Sequence, residues 1–511
     1  MDEGCETSIP TFGHTPREEA RRAIEHPLPR SLGACAVIHG FLSPAECDAL
    51  VARAEARGFE SAERDYPPSY RNNDRQVIDD PELAAWLMRR LAELADGAIE
   101  PMLPQDIRDN WRLKGINERL RLCRYRPGQQ FRIHQDGVHH RGHGCRSMLT
   151  FMVYLTDGDA FEGGDTLFYA AGPSNGQDVV ARLRPRIGSL ILFDHGIWHA
   201  GEALTRGVKH VLRSDLLFER AGASGECPGV TPHHLGYIWT LAALQDGRLA
   251  SGGRDGRIRL WHGDGSHSAT LAGHDQSVLG LCEAQPGVLA SVSRDRRLRV
   301  WDVESGRCLR TEVAHEAAAL SIARVTPQVL ATGGADHRVQ LWSVAGDRLR
   351  TLAGHQGWVW GVASLGDHAV ASASEDGSLR LWDLDSGECI AQRTLGNPLR
   401  TVHAVPKPGK PGDYDVAVGD ESGGVTLWRM EGGAMSLAGA FKAHSAAVRR
   451  VRFMRDGSLA TCGEDNALRL WHIPSMVLRN EHVLGNFVTD VAELCDGRRV
   501  SCGYGGELAF G

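Results

Sequence analysis

Hydrophobic and polar positions follow three different periods along this chain. Gly33–Leu42 (GACAVIHGFL) is a short apolar run of the kind a strand makes. Ser43, Pro44 and Glu46 then give a helix start: a hydroxyl at the cap, proline in the first turn, and a carboxylate three residues after the cap. Gly58 ends that helix. A second helix begins at Asp80-Pro81 and runs through Leu94, with Leu83, Leu87, Leu91 and Leu94 on one face. Between them, Ser61–Asp80 is polar and reads as a surface loop or the rim of a site. From Arg119 to Glu219 the period falls to two. Leu122–Tyr125, Phe131–His134, Met148–Leu155, Thr166–Tyr169, Val179–Leu183, Ser189–Asp194 and Val208–Phe218 are short strands parted by Gly- and Asp-rich turns. Regular short strands with such turns predict a sandwich or jelly roll, braced outside by the two helices.

The third period is long. Trp261, Trp301, Trp342, Trp382, Trp428 and Trp471 recur at intervals of 40, 41, 40, 46 and 43 residues, and Phe510 falls 39 later in the same frame. Six residues before most of them stands Asp255, Asp295, Asp336, Asp376 or Asp465. Ten before stands Ser251, Ser291, Thr332, Ser372 or Thr461. His274, His315, His355 and His444 sit near the repeat starts, each after Gly or Ala. A repeat of this length marks a solenoid, a propeller or an array. The pattern resembles a WD-repeat β-propeller of seven blades. That resemblance implies a buried His, Ser/Thr, Asp, Trp tetrad within a blade, with a structural aspartate. The fifth repeat has Val418 and Ser422 at the Ser/Thr and Asp positions, plus the insertion PKPGKPGDYD; the seventh has Val500 and Tyr504. Both blades are expected to be less regular. The seventh repeat stops at its third strand, so residues within 222–233 are expected to supply the fourth and close the ring.

These periods divide the chain into a lead-in (1–32), a first domain (33–220), a Gly/Pro-rich linker (221–232) and a second domain (233–511). The net charge of −7 and pI near 6.4 give no electrostatic case for nucleic acid or an acidic membrane. The N-terminal stretch lacks the apolar core of a signal peptide, and no 18-residue apolar run occurs. A soluble, cytoplasmic protein is the expectation. Twelve cysteines are scattered without a C-x-x-C pair, as expected of reduced, mostly buried thiols rather than a disulfide framework.

The chemistry is carried by Leu122–Asp136, LCRYRPGQQFRIHQD. A Pro-Gly turn joins two extended runs, and His134 and Asp136 follow two apart, so both side chains can point one way. Sixty residues on, SLILFDHGIWHAGEALTRGVKHVLRSD has a buried-strand run, His199 in a loop, and a strand with Lys209, Val211, Arg213 and Asp215 alternating. Two histidines and one carboxylate make the facial triad that binds non-haem Fe(II) and leaves positions open. A rival cluster, His139, His140, His143 and Cys145, lacks a second ligand pair at a partner distance and reads as a loop over the site mouth rather than a zinc site.

The segments RNNDRQVIDD, NERLRLCRYRPGQQFRIHQD, SMLTFMVYLTD, FEGGDTLFY, LRPRIGSLILFDHGIWHAGE and RGVKHVLRSDLLF, in that order, resemble the prolyl 4-hydroxylase-like branch of the Fe(II)/2-oxoglutarate dioxygenases over about 33–219. The resemblance implies a double-stranded β-helix. It implies that His134, Asp136 and His199 hold iron, that Lys209 pairs with the distal carboxylate of 2-oxoglutarate, and that Tyr125 and Tyr154 hydrogen-bond the co-substrate. Arg213, on the Lys209 face, would assist the co-substrate or contact the substrate. The cofactors implied are Fe(II), 2-oxoglutarate and O2, with ascorbate as reductant. The fold expected is therefore mainly β: a jelly roll with flanking helices, then a seven-bladed propeller. The activity expected is hydroxylation, with succinate and CO2 as co-products. The propeller would recruit a protein substrate, a prolyl residue first among targets; a small molecule is the other substrate class. A binding scaffold without turnover is the rival reading, and the intact His134, Asp136, His199 and Lys209 set speaks against it.

Overall fold

The computed structural model describes residues 24–62, 71–94, 99, 102–139, 145–170, 172, 178–221, 234, 236–432, 434–484 and 486–510. They fall into two compact units divided between residues 228 and 229.

The first unit holds fifteen described strands and three described α-helices: β1 (Ile24–Glu25), β2 (Cys35–Ile38), α1 (Pro44–Arg57), β3 (Glu60–Ser61), β4 (Asp74–Asp79), α2 (Pro81–Leu94), α3 (Gln105–Asn110), β5 (Trp111–Ile116), β6 (Arg119–Tyr125), β7 (Phe131–His134), β8 (Cys145–Tyr154), β9 (Phe161–Gly163), β10 (Thr166–Tyr169), β11 (Val179–Leu183), β12 (Leu190–Asp194), β13 (Trp198–Gly201), β14 (Leu204–Gly207) and β15 (Lys209–Arg220). A large antiparallel sheet runs β1-β2-β12-β8-β15-β6-β4-β3, with β5 on β15; a smaller one runs β11-β10-β13-β7; β14 pairs with β9.

Period-two alternation sorts the large sheet into two faces. Leu120, Leu122, Leu149, Phe151, Val153, Leu190, Leu192 and Leu212 pack against Leu50, Leu83, Leu87 and Leu91 of the helices. Tyr125, Met152, Tyr154, Ile191, Phe193 and Val211 point the other way and pack with Phe131 and Phe168 of the smaller sheet. The site lies in this second core. Helix α1 is capped as its sequence requires: Glu46 N–H donates to Ser43 Oγ (3.3 Å) and Ser43 N–H to Glu46 Oε2 (2.7 Å). Arg90 of α2 grips the same carboxylate with both terminal nitrogens (3.0 and 3.1 Å), joining the two helices.

The second unit is a ring of seven sheets, spanning 238–272, 278–313, 319–353, 359–394, 399–442, 448–483 and 488–510. Their innermost strands pack in cyclic order, and the first meets the last. Five blades hold the tetrad. In the fourth, Trp382 Nε1–H donates to Ser372 Oγ (2.7 Å), His355 Nε2 lies 2.7 Å from that hydroxyl, and His355 Nδ1 lies 3.1 Å from Asp376. His234 completes the set in the first blade, 2.7 Å from Ser251 and 3.0 Å from Asp255. It follows another histidine, which hid it from a pattern of His after Gly or Ala. Ser372→Ala would leave two buried nitrogens unpaired, at about 1–3 kcal/mol each. Thermal melts should show a clear loss for it and almost none for Ser422→Ala at an exposed turn.

The fifth blade is a complete four-stranded sheet in which the insertion lengthens the first hairpin: Leu399–Pro406, Tyr414–Asp420, Gly424–Glu431 and Ala434–Lys442 are its strands. Asp420 supplies the turn acceptor there, taking hydrogen bonds from Ser422 Oγ and Gly424 N–H (both 2.8 Å). The seventh blade has three described strands; the stretch expected to add a fourth, 222–233, lies outside the described residues. No helix among the described residues is long and apolar enough to cross a membrane.

Candidate metal centre

Strands β7 and β13 pair antiparallel with His199 directly opposite His134. His199 therefore sits on a strand, not in the loop expected from its Gly- and Trp-flanked context. Phe168 of β10 flanks it on the other side. Asp136 lies just past β7, where its N–H donates to the His195 carbonyl (3.0 Å) and Gln135 Nε2 donates to that of Gly196 (2.6 Å). Two sequence segments sixty residues apart are thus stitched together by the strand pairing, the Asp136 N–H and the Gln135 amide.

Each imidazole has its tautomer set by a backbone carbonyl. His134 Nδ1–H donates to Arg132 O (2.6 Å) and His199 Nδ1–H to Ile197 O (2.9 Å). Both Nε2 lone pairs then face the carboxylate, each 3.5 Å from a different Asp136 oxygen. Phe131 stacks on His134 (3.6 Å between centroids) and Phe193 meets His199 edge-on (4.6 Å). The donor atoms of the three residues lie within 4.8 Å of one another.

Burial pushes His134 below the ordinary imidazole value and His199 down to about 3, with the neighbouring His134 adding to the effect on His199. For Asp136 burial acts the other way, but Arg213 and the two histidines outweigh it and hold the carboxyl well below its usual range. The set therefore offers two neutral imidazoles and one carboxylate, the protonation state a divalent metal needs.

Arg213 lies against the Asp136 carboxylate. Its Nη2 lies 2.6 Å from both Asp136 oxygens, so it orients the ligand carboxylate. Thr150 Oγ1–H donates to Asp136 Oδ2 as well (2.5 Å). Sequence reasoning missed Thr150, although it is the lone aliphatic hydroxyl in the apolar run MLTFMVYL.

Lys209 is only 4 % exposed. Its Nζ donates to Gly164 O (2.5 Å) and lies 5.7 and 5.3 Å from the ring centres of Tyr125 and Tyr154. Tyr154 donates to Thr166 Oγ1 (2.6 Å). Asp165, the first carboxylate to act on Lys209, is held by Arg182 and Arg184 (3.1 and 2.9 Å). Among the described residues no carboxylate pairs with Lys209, and burial brings its pKa down to about 8. A buried ammonium with carbonyl and aromatic neighbours favours an anion. His140 and His143 of the rival cluster lie outside the described residues; among those described, the His134, Asp136, His199 group is the only cluster of metal-ligating type.

The residues present fit a divalent metal. The buried His199 Nε2 has no hydrogen-bond partner, and it faces a carboxylate across a gap too long for a hydrogen bond. Two imidazoles and one carboxylate are also the donor set suited to non-haem Fe(II).

Comparison with known proteins agrees. The model of the 2OG-Fe(II) oxygenase superfamily matches residues 120–214, and that of the WD domain, G-beta repeat, matches 225–262, 265–302, 346–383 and 435–472. The chain thus carries a 2OG-Fe(II) oxygenase superfamily domain followed by WD40 repeats. The eukaryotic translation initiation factor 3 subunit I of Debaryomyces hansenii is 36% identical over 58 residues, 11% of this chain and 17% of the relative. The same subunit from Aspergillus niger is 46% identical over 49 residues, 9% and 14%. The chain spans less than a fifth of these curated relatives, a little over one repeat, so the likeness speaks to the repeat alone.

Proposed function

We propose that this chain is an Fe(II)- and 2-oxoglutarate-dependent hydroxylase of the prolyl 4-hydroxylase-like type, acting on a protein side chain recruited by the propeller. The observation that carries the reading is a triad of two neutral imidazoles and an ionised carboxylate, together with a buried lysine that has no carboxylate partner among the described residues. His134, Asp136 and His199 would hold the metal, and Lys209 would take the distal carboxylate of 2-oxoglutarate. Fe(II) with 2-oxoglutarate and O2 supplies the oxidising power that hydroxylates a C–H bond, with succinate and CO2 released.

The chain's own part is to bind, orient and shield. Arg213 and Thr150 fix the Asp136 carboxylate. Phe131, Phe168 and Phe193 close off the histidines and keep water from the reacting centre. Tyr125 and Tyr154 wall the Lys209 end, where Thr166, whose Oγ1 accepts from Tyr154, has a hydroxyl proton to donate to a carboxylate. The propeller favours a protein substrate, since such rings present faces to partners; this step rests on analogy between folds.

The test is release of succinate by the purified chain with Fe(II), ascorbate and 2-oxoglutarate. Mass spectrometry would follow, seeking polypeptides that gain one oxygen atom only with the active protein. No succinate with any candidate substrate would favour a non-catalytic scaffold instead.

Lys209 also predicts a pH profile. Only the ammonium form pairs with a carboxylate. Its pKa near 8 means the charge is in place below that pH and is lost above it. Binding above pH 8 must then take up a proton, so KM for 2-oxoglutarate should rise toward about tenfold per pH unit, while kcat at saturation stays flat. A KM unchanged between about pH 7 and 9.5 would contradict the assignment of Lys209.

A further inference from the structure

Strand β8 carries an irregularity beside the metal centre. Leu149 faces Leu216 and Ser147 faces Leu217 of β15, so Met148 has no counterpart. The extra residue shifts the alternation by one step. Bulges next to active sites re-aim side chains in this way. Ser147 and Thr150, three apart in sequence, thereby reach the same imidazole: His195 Nε2 lies 2.9 Å from Ser147 Oγ and Nδ1 lies 3.0 Å from Thr150 Oγ1. All three residues are buried. Met148, the unmatched residue, accepts the His195 N–H on its carbonyl (3.2 Å).

The two ends of this chain of bonds fix the direction of every proton in it. At one end, the ionised Asp136 carboxylate can only accept, so Thr150 donates to Oδ2. Thr150 Oγ1 then accepts from His195 Nδ1–H, which leaves His195 Nε2 to accept from the Ser147 hydroxyl. At the other end the His139 amide can only donate, and it donates to Ser147 Oγ (2.7 Å). The Ser147 N–H returns a bond to His139 O (2.7 Å). For a singly protonated ring, one arrangement satisfies all four links, with the proton on Nδ1.

We infer that Thr150, His195 and Ser147 form a positioning relay that holds the Asp136 carboxylate for the metal. The relay pins the segment after β7 to β8 at two points, Asp136 through Thr150 and His139 through Ser147, with the imidazole of His195 wedged between the two hydroxyls. Arg213 supplies charge to the same carboxylate; the relay supplies direction, because a hydroxyl on Oδ2 selects one rotation of the group. Main-chain bonds support it, since the His195 carbonyl also receives the Asp136 N–H. None of these residues is a metal ligand or touches substrate in this scheme. The inference rests on the proposed metal site.

Co(II) titration of the full chain tests it, because Co(II) absorption reports both affinity and coordination geometry without turnover. Thr150→Val keeps the shape and removes the hydroxyl; it should weaken Co(II) binding about 10–100-fold and alter the spectrum, the usual cost of losing a bond to a metal ligand. Thr150→Ser should stay close to the parent. His195→Leu should weaken binding, and His195→Asn, which keeps an N–H donor near the Nδ1 position, should recover part of the loss. Parental affinity and spectrum in Thr150→Val and His195→Leu would overturn the relay and leave the metal site standing. Failure of the unmodified chain to bind Co(II) would overturn the metal site itself, and the relay with it. Should Thr150→Val not fold, the two His195 variants decide, since both keep Thr150 beside the carboxylate; equal Co(II) affinity in them overturns the relay.

Discussion

His199→Ala is expected to abolish 2-oxoglutarate turnover. Loss of a hydrogen bond to a metal ligand alone costs metal sites about 10–100-fold. Loss of a ligand should exceed that, so succinate release ought to fall by more than about a hundredfold. The position suits a clean test. Removing the imidazole leaves the Arg213–Asp136 pair intact, so no buried charge is stranded. Asp136→Ala would silence the site too, but it abandons the Arg213 guanidinium in a buried place and would cost stability as well. A near-complete loss of turnover with a smaller loss of stability than in Asp136→Ala is therefore the signature expected of His199→Ala. Substantial succinate from that variant would remove His199 from the metal centre.

The second large effect lies far from this chemistry, at Asp490. This carboxylate on the innermost strand of the last blade is 0 % exposed. It accepts the Leu241 N–H from the first blade (2.9 Å) and the N–H of Val491 (2.8 Å), and it faces Arg450 and Arg452 of the sixth blade at 3.0 and 3.4 Å. Thr489 beside it donates to Ile238 O (2.5 Å), again across the first-to-last junction. Three blades thus meet on one side chain where the ring closes. Asp490→Ala removes the anion that two guanidiniums and two backbone amides face. Breaking a buried pair costs about 3–5 kcal/mol, and the lower end applies because both arginines keep a quarter of their side chains in water. Nine of the twelve tryptophans, from Trp239 onward, lie in the propeller, so tryptophan emission reports its unfolding. The midpoint in denaturant should drop well below that of the parent, with oxygenase activity of the folded protein unchanged. An unaltered midpoint would mean that the closure does not depend on Asp490. Asp490→Asn, which keeps one acceptor, should fall between the two.

How far the sequence could be read depended on what each signal encodes. The Ser43 to Glu46 cap, the leucine face of the second helix and the tryptophan period are local or repeated patterns, and the helices and blades formed where those patterns lie. The His-x-Asp pair was legible for the same reason. His199 was placed in the right segment but in the wrong kind of backbone, because a four-residue strand flanked by glycine carries almost no period. The contact of Arg213 with Asp136 was not legible, because alternation says which way a side chain points and nothing about what waits opposite.

Residue order alone therefore determined the elements, their faces and the residue types able to hold a metal, since these follow from backbone sterics and the spacing of apolar groups. The tertiary structure decided the rest. Sheet register set His134 against His199, a one-residue bulge turned Ser147 and Thr150 toward a single histidine, and ring closure brought Asp490 to Leu241. Each is a pairing between segments distant in the chain, and such pairings are selected by the summed packing of whole sheets, which no local stretch of sequence contains.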